Sequence, residues 1–322
     1  MLKEQFTGHG RVVLLAGGGR IYTDIAARFV RSERSLDEII ASPYSKRIVD
    51  NILNSGHGAA LEFDYFLFGV EGYSRVTEVQ LVRKRMASYL IKSGRAELGG
   101  KRVFSVVYPR SVADFTAEVT LPNNGKVKLS GRDLADLSRQ WYEAGLDAHL
   151  PEQDLRYLKP QATEFKAIIG MNAHALRDWF SIRCCLNAQD EIRDLANKMR
   201  KLCVKAAPDL FRGSGPSCVQ LGYCPENRLQ NEKCRGKVPT RDEALAIRTV
   251  RGLPQGTENA SSPQMTLTGS PSNILVRKEG GAFGPLPLLH ESYLYASGGR
   301  FGCWLSPASL ALRQSSHSPY IT

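Results

Sequence analysis

The sequence predicts an α/β protein, a mixed sheet with packed helices, followed by a low-complexity C-terminal tail. Three observations carry this. Residues 10–206 alternate short apolar runs of strand character with longer stretches of helical periodicity. Hydrophobic residues make up 42% and charged residues 23% of the chain, the balance of a protein that buries a core. Beyond residue 250 that character is lost: Gly, Pro and Ser supply 27 of the last 72 residues, and charged residues supply eight.

The elements follow in order. Val12–Leu15 reads as a short buried strand, and Ala16-Gly17-Gly18-Gly19 as its turn. That glycine cluster lacks the spacing of a dinucleotide loop. Leu61–Val70 alternates and reads as a strand. Val76, Val79, Val82 and Met86 recur at helical spacing, predicting an amphipathic helix to about Ser88 and then a loop. Arg102–Tyr108 reads as another strand. Ser130 stands where it can cap a helix with Leu134, Leu137, Trp141 and Leu146 on one side. Asn172 to about Val204 reads as helical, with Leu176, Trp179, Phe180, Leu186, Ile192, Leu195 and Met199 as a core stripe. Residues 1–206 are thus expected to form the folded domain, 207–249 a cysteine-containing extension and 250–322 a disordered or loosely packed tail.

A net charge of +11 favours an anionic partner: a nucleotide, a nucleic acid or an acidic surface. Val12–Leu15 is far too short to span a bilayer, so a cytoplasmic location and no membrane partner are expected. That location argues against a disulfide framework for the seven cysteines. Cys203, Cys218, Cys224 and Cys234 lack the close pairs usual in zinc sites, so they read as free thiols with no metal, a zinc site being the minor alternative. Cys184 and Cys185 read as packing residues in the helix.

The densest chemistry lies between Gln80 and Arg95. Arg83, Lys84, Arg85 and Arg95 stand beside Ser88, Ser93 and Gly94. Guanidinium forks next to hydroxyls and loop N–H groups make a site for phosphate. From these residues alone, a solvated basic helix end is the competing reading. Farther on, Asn172, Leu176, Trp179 and Arg183 align along one side of the helix. Polar groups on such a face need partners, at a cost of about 1–3 kcal/mol for each left unsatisfied. A salt bridge or a bound nucleotide meets that need.

Three ordered blocks resemble the flavin-dependent thymidylate synthases. Arg83, Arg85, Ser88, Ser93 and Arg95 fall in register with the family's Arg-His-Arg…Ser…Ser…Arg signature, with Gln80 ahead of them. Lys84 replaces the His, Leu90-Ile91 an Asn-Glu pair and Ala96 a Tyr. Ser55-Gly56-His57 with Leu61-Glu62 is similar to the upstream block, where Phe63 replaces a second His. Arg156, Lys159-Pro160, Asn172-Ala173-His174, Arg183 and Ala188-Gln189 with Glu191-Ile192 are similar to the downstream series, where His174 replaces an Arg.

The resemblance implies the thymidylate synthase complementing protein fold and reductive methylation of dUMP to dTMP. Methylenetetrahydrofolate would give the one-carbon unit, reduced FAD the hydride, and NADPH would recharge the flavin. It implies substrate binding by Gln80, Ser93, Gly94, Arg95, Arg156 and Arg183, with Arg183 also stabilising charge on the uracil. It implies FAD binding by His57, Glu62, Arg83, Lys84, Arg85 and Asn172, and a homotetramer. A paralogue with altered or lost synthase activity, or a basic nucleic-acid binder, is the alternative. Against the last, the basic residues form no stripe with interleaved aromatics.

Overall fold

The structure, a computed structural model, describes residues 3–19, 21–93 and 104–250, so the predicted tail beyond 250 lies outside the described residues. The chain begins with β1 (Lys3–Phe6) and β2 (Arg11–Ala16), followed by α1 (Tyr22–Phe29), α2 (Leu36–Ala41) and α3 (Lys46–Ser55). Then come β3 (Tyr65–Ser74), α4 (Arg75–Leu81), β4 (Ser88–Ile91) and β5 (Ser105–Tyr108). The middle of the chain forms α5 (Arg110–Asp114), β6 (Thr116–Thr120), β7 (Lys126–Ser130), α6 (Gly131–Asp147) and α7 (Glu152–Leu155). The last strand, β8 (Glu164–Asn172), leads into α8 (Ala173–Arg183), α9 (Asp190–Ala206), α10 (Pro208–Phe211), α11 (Ser217–Leu221) and α12 (Arg241–Val250).

The central sheet has four strands in the order β2-β3-β8-β4, and every pair in it is antiparallel. Both pairing senses occur among the described strands, but in different sheets: β1 pairs with β5 in parallel, and β6 with β7 as an antiparallel hairpin. Alternation explains which face of the central sheet is covered. Phe66, Phe68 and Val70 of β3 and Phe165, Ile169 and Met171 of β8 point to one face. They pack with Leu176, Trp179 and Phe180 of α8 and Ile192, Leu195 and Met199 of α9. Phe211 closes this core edge-on to Phe66, with ring centroids 5.1 Å apart. The opposite face leaves Val13, Leu15, Leu90 and Ile168 exposed. A second cluster holds Phe104, Val106, Tyr108, Ala135, Tyr142 and Leu155.

Several predicted elements end elsewhere, each for a long-range reason. The strand begins at Tyr65, not Leu61, because Gly58–Phe63 winds into a 3-10 turn. Buried Asp64 fixes that change: its carboxylate accepts from the N–H groups of Tyr22 and Thr23 at the start of α1, at 2.9 and 2.8 Å. The helix expected to reach Ser88 stops at Leu81. Its Val76, Val79, Val82 and Met86 stripe is exposed, while Thr77 and Leu81 carry the buried side. The stretch from Asn172 to Val204 is two helices, not one. Between them, Arg193 Nη1 donates to the carbonyls of Leu186 and Ala188, both at 3.0 Å, satisfying groups the break leaves open. Leu186 is accordingly exposed, whereas the rest of the predicted stripe is buried.

Ser130 does cap α6: its Oγ accepts from Asp133 N at 3.2 Å, and its own N–H donates back to Asp133 at 2.6 Å. Leu134, Leu137 and Trp141 nevertheless face outward, because Ala135, Tyr142 and Gly145 form the packed side.

Candidate functional site

The basic turn after α4 carries Arg83, Lys84 and Arg85. The Tyr89 hydroxyl lies 2.9 Å from the Leu81 carbonyl and 3.0 Å from that of Lys84, so it donates into the turn and holds it closed. Burial pushes this phenol's pKa up to about 12, which keeps it a donor. Lys84 is 19% exposed and forms an ion pair with Asp178 of α8. Arg83 and Arg85 are exposed, and among the described residues no carboxylate pairs with either.

One turn before Asp178 on α8, His174 meets Glu62, with Nδ1 and Oε1 3.2 Å apart. Gly58 comes close to the same ring: a Cβ there would lie 2.9 Å from His174 Nε2. Asn172 heads α8, its Oδ1 accepting from Ala175 N at 2.8 Å. The Lys84–Asp178 ion pair and the His174–Glu62 contact therefore lie in a line across the first two turns of α8.

At the other end of α8, Arg183 meets Gln80 within one chain. Arg183 Nη2 donates to the Gln80 carbonyl at 3.4 Å, and Gln80 Nε2 donates to Gln189 Oε1 at 3.2 Å. These two segments therefore meet within a single chain. Arg156 and Ser93 come together elsewhere, lining a polar cavity of about 360 Å3 with Arg75, Lys92, Lys159 and Glu164. Arg156 is exposed, again with no carboxylate partner among the described residues. Gly94 and Arg95 lie outside the described residues. Leu90 and Ile91, which replace the family's Asn-Glu pair, are part of β4 and face Ile168 and Ala167 of β8.

His57 follows Gly56, which ends α3 in the left-handed conformation at φ 74°. Its side chain borders a cavity of about 530 Å3 with Arg28, Arg31 and Arg34, walled by Ile39 and Ile52. Arg28 is tied down by the buried carboxylate of Asp24, which also accepts from Ser45 N at 3.2 Å. Sequence reasoning missed this basic cavity, although three arginines at three-residue intervals were visible. It also missed Asp178, signalled only by its place four residues after His174, and gave no role to Gln189.

Glu191 and the cysteines complete the picture. Glu191 is buried and accepts from Ser74 N at 2.7 Å and Ser74 Oγ at 2.5 Å, which ties α9 to the end of β3. Cys203 sits in the core on α9, where burial pushes its thiol pKa up. It is therefore remote in kind from Cys218, Cys224 and Cys234, which line another cavity together with Cys185. Cys185 falls in the turn after α8, so it is not the helical packing residue the sequence suggested; Cys184 is buried there as expected.

The chain superposes on the UMP/dUMP methylase PolB from Streptomyces cacaoi, solved with 5-Br dUMP, with a TM-score of 0.51 over 64% of this chain and 95% of that one. Identity there is 18%, so the likeness is one of fold. The chain belongs to the thymidylate synthase complementing protein family, which it matches over residues 20–209. It is 37% identical over 208 residues to the flavin-dependent thymidylate synthase of Geobacter sulfurreducens, covering 64% of this chain and 85% of that relative. It is 38% identical over 183 residues to the enzyme of the same description from Nitratidesulfovibrio vulgaris, covering 55% of this chain and 71% of that relative.

Proposed function

We propose that this chain catalyses the reductive methylation of dUMP to dTMP, with methylenetetrahydrofolate as one-carbon donor and FAD, recharged by NADPH, as cofactor. The observation that carries this reading is the set of exposed arginines Arg83, Arg85 and Arg156, which no carboxylate pairs with among the described residues. Unneutralised guanidinium groups beside hydroxyls and main-chain donors suit phosphate-bearing ligands. FAD, when bound, supplies the hydride.

The chain's own residues bind, orient and stabilise charge. Arg156 and Ser93, with Gly94 and Arg95, hold the dUMP phosphate and sugar. Gln80, steadied by Gln189 and set apart from that cavity within one chain, reaches the nucleotide of a neighbouring subunit in the homotetramer. Arg183, held at the end of α8 by the Gln80 carbonyl, stabilises negative charge that develops on the uracil carbonyl oxygen. His57, Glu62, Arg83, Lys84, Arg85 and Asn172 serve the flavin. Of these, His57 borders a cavity that combines Arg28, Arg31 and Arg34 with isoleucine walls, a lining suited to an aromatic ring carrying phosphate. Lys84 contributes less free charge than its neighbours, because Asp178 already balances it.

Self-association as a homotetramer is supported by the outer face of the central sheet. Val13, Leu15, Leu90 and Ile168 are exposed together there, and contiguous apolar surface of this kind marks an interface. None of the helices among the described residues is long and apolar enough to cross a membrane, and we place the enzyme in the cytoplasm.

The test is the visible absorption spectrum of the purified chain during titration with dUMP. A flavin spectrum that shifts on adding dUMP is the expected result. A protein that takes up no flavin even from added FAD overturns the assignment. If that colourless protein binds oligonucleotides with a steep salt dependence, a nucleic-acid binder replaces it.

A further inference from the structure

Four cysteines from separate stretches of the chain line one cavity of about 230 Å3. Cys185 lies in the turn after α8, Cys218 in α11, Cys224 in the following loop and Cys234 in a short 3-10 turn. All four are free thiols. The remaining walls include Ile182, Pro216, Pro225 and Val238, so the thiols meet in largely apolar surroundings.

The backbone around them is fixed by turns. Gly222, at φ 74°, ends α11 by donating to the Cys218 carbonyl at 2.9 Å. Cys224 N donates to Pro239 O at 2.8 Å. The Cys234 carbonyl accepts from Lys237 and Val238 at 3.0 and 3.1 Å, across Gly236 at φ 72°. Asn187, two residues after Cys185, donates to the Leu229 carbonyl at 2.8 Å and so brings the two stretches together.

Yet this segment has almost no core of its own. Beyond Phe211, none of the described hydrophobic side chains is buried; only Ser214, Gly215 and Gln230 are. A stretch with so little buried apolar surface gains much from a cross-link, such as disulfides or a structural metal. Four thiols gathered at its centre match the second device, since four thiolates form a closed tetrahedral zinc site and soft sulfur ligands favour that ion. Among the described residues no three ligating groups are already set around a common point. Such sites commonly close when the ion binds.

We propose that Cys185, Cys218, Cys224 and Cys234 hold one structural zinc ion that ties the 212–240 segment to the turn after α8. The sequence spacing of 218, 224 and 234 hid the site because its fourth member, Cys185, comes from before α9, and Cys203 drew attention to the wrong place.

The experiment is elemental analysis of the full chain purified without added metal or chelator, alongside Cys218→Ser, Cys234→Ser and Cys303→Ser. One zinc per chain in the wild type and in Cys303→Ser, lost from the other two, is the expected result. Zinc-free wild-type protein, disulfides among the four cysteines, iron in place of zinc, or zinc retained in Cys218→Ser overturns the proposal. Should the variants fail to fold, cobalt exchange into the wild type decides: thiolate-to-cobalt charge-transfer bands support the site, and their absence rules it out. Flavin content and dUMP binding, read on the same wild-type samples, report on the synthase assignment separately.

Discussion

Arg183, the last residue of α8, donates to the carbonyl of Gln80, the next-to-last residue of α4, at 3.4 Å. The contact fastens a partly exposed guanidinium to the helix that precedes the basic turn, and it does so inside a single chain. In the role proposed for Arg183, a group that stabilises developing charge must be held in place before the reaction, and this bond holds the guanidinium.

Arg183→Ala is accordingly expected to lower dTMP formation by about 10²–10³-fold, the usual loss when one such donor is removed. Size-exclusion chromatography should show an unchanged elution volume, because the side chain lies outside the core. Turnover within a few-fold of wild type would remove Arg183 from the catalytic role.

Arg156→Ala tests the polar cavity that it shares with Ser93. Losing a charge-assisted hydrogen bond worth about 1.5–3 kcal/mol should weaken dUMP binding roughly 10–100-fold. Flavin content should not change. Calorimetric titration of the flavin-loaded protein reads both, and unaltered dUMP affinity would place the phosphate elsewhere.

Lys84→His restores a flat ring at the position balanced by Asp178. We expect firmer flavin retention through gel filtration, since an imidazole can stack or share a proton where an ammonium only attracts. A drop in retention would mean that the site has been rebuilt around the Lys84–Asp178 pair.

Glu191→Ala removes the buried carboxylate that accepts from both the N–H and the hydroxyl of Ser74. Leaving those donors unsatisfied should cost about 1–3 kcal/mol. Urea unfolding should show the midpoint moving down with an unchanged slope. A midpoint equal to wild type would mean that water replaces the carboxylate at little cost.

Stability should also fall on the alkaline side. Burial raises the thiol pKa of Cys184 to about 11 and pushes that of Cys203 higher still. The folded protein then holds protons that the unfolded chain releases from about pH 8.5. The stabilisation is therefore complete below that pH and is lost as pH rises toward the folded values. Thermal unfolding between pH 7 and 10 measures the slope, and Cys203→Ala should flatten it; an identical slope in the variant would assign the effect to other groups.

What the sequence determined by itself was whatever neighbouring residues decide. The Ser130 cap, the α9 stripe of Ile192, Leu195 and Met199, and the strand at Val12–Leu15, though not its expected burial, were legible, because capping and periodicity are local. The ordered motif blocks gave the family and the candidate residues. Tertiary structure decided where elements stop and which groups meet. Asp64 reaches back 42 and 41 residues to the start of α1, and that bond, invisible in the Leu61–Val70 alternation, sets the beginning of β3. The outward turn of Leu134, Leu137 and Trp141 likewise depends on which face of α6 finds Leu155 and Phe104 to pack on. Spacing along the chain could not select Cys185 over Cys203 as the neighbour of Cys218. Only the break between α8 and α9 brings that thiol to the cavity, because distance in sequence carries no information about which loops a packed core brings together.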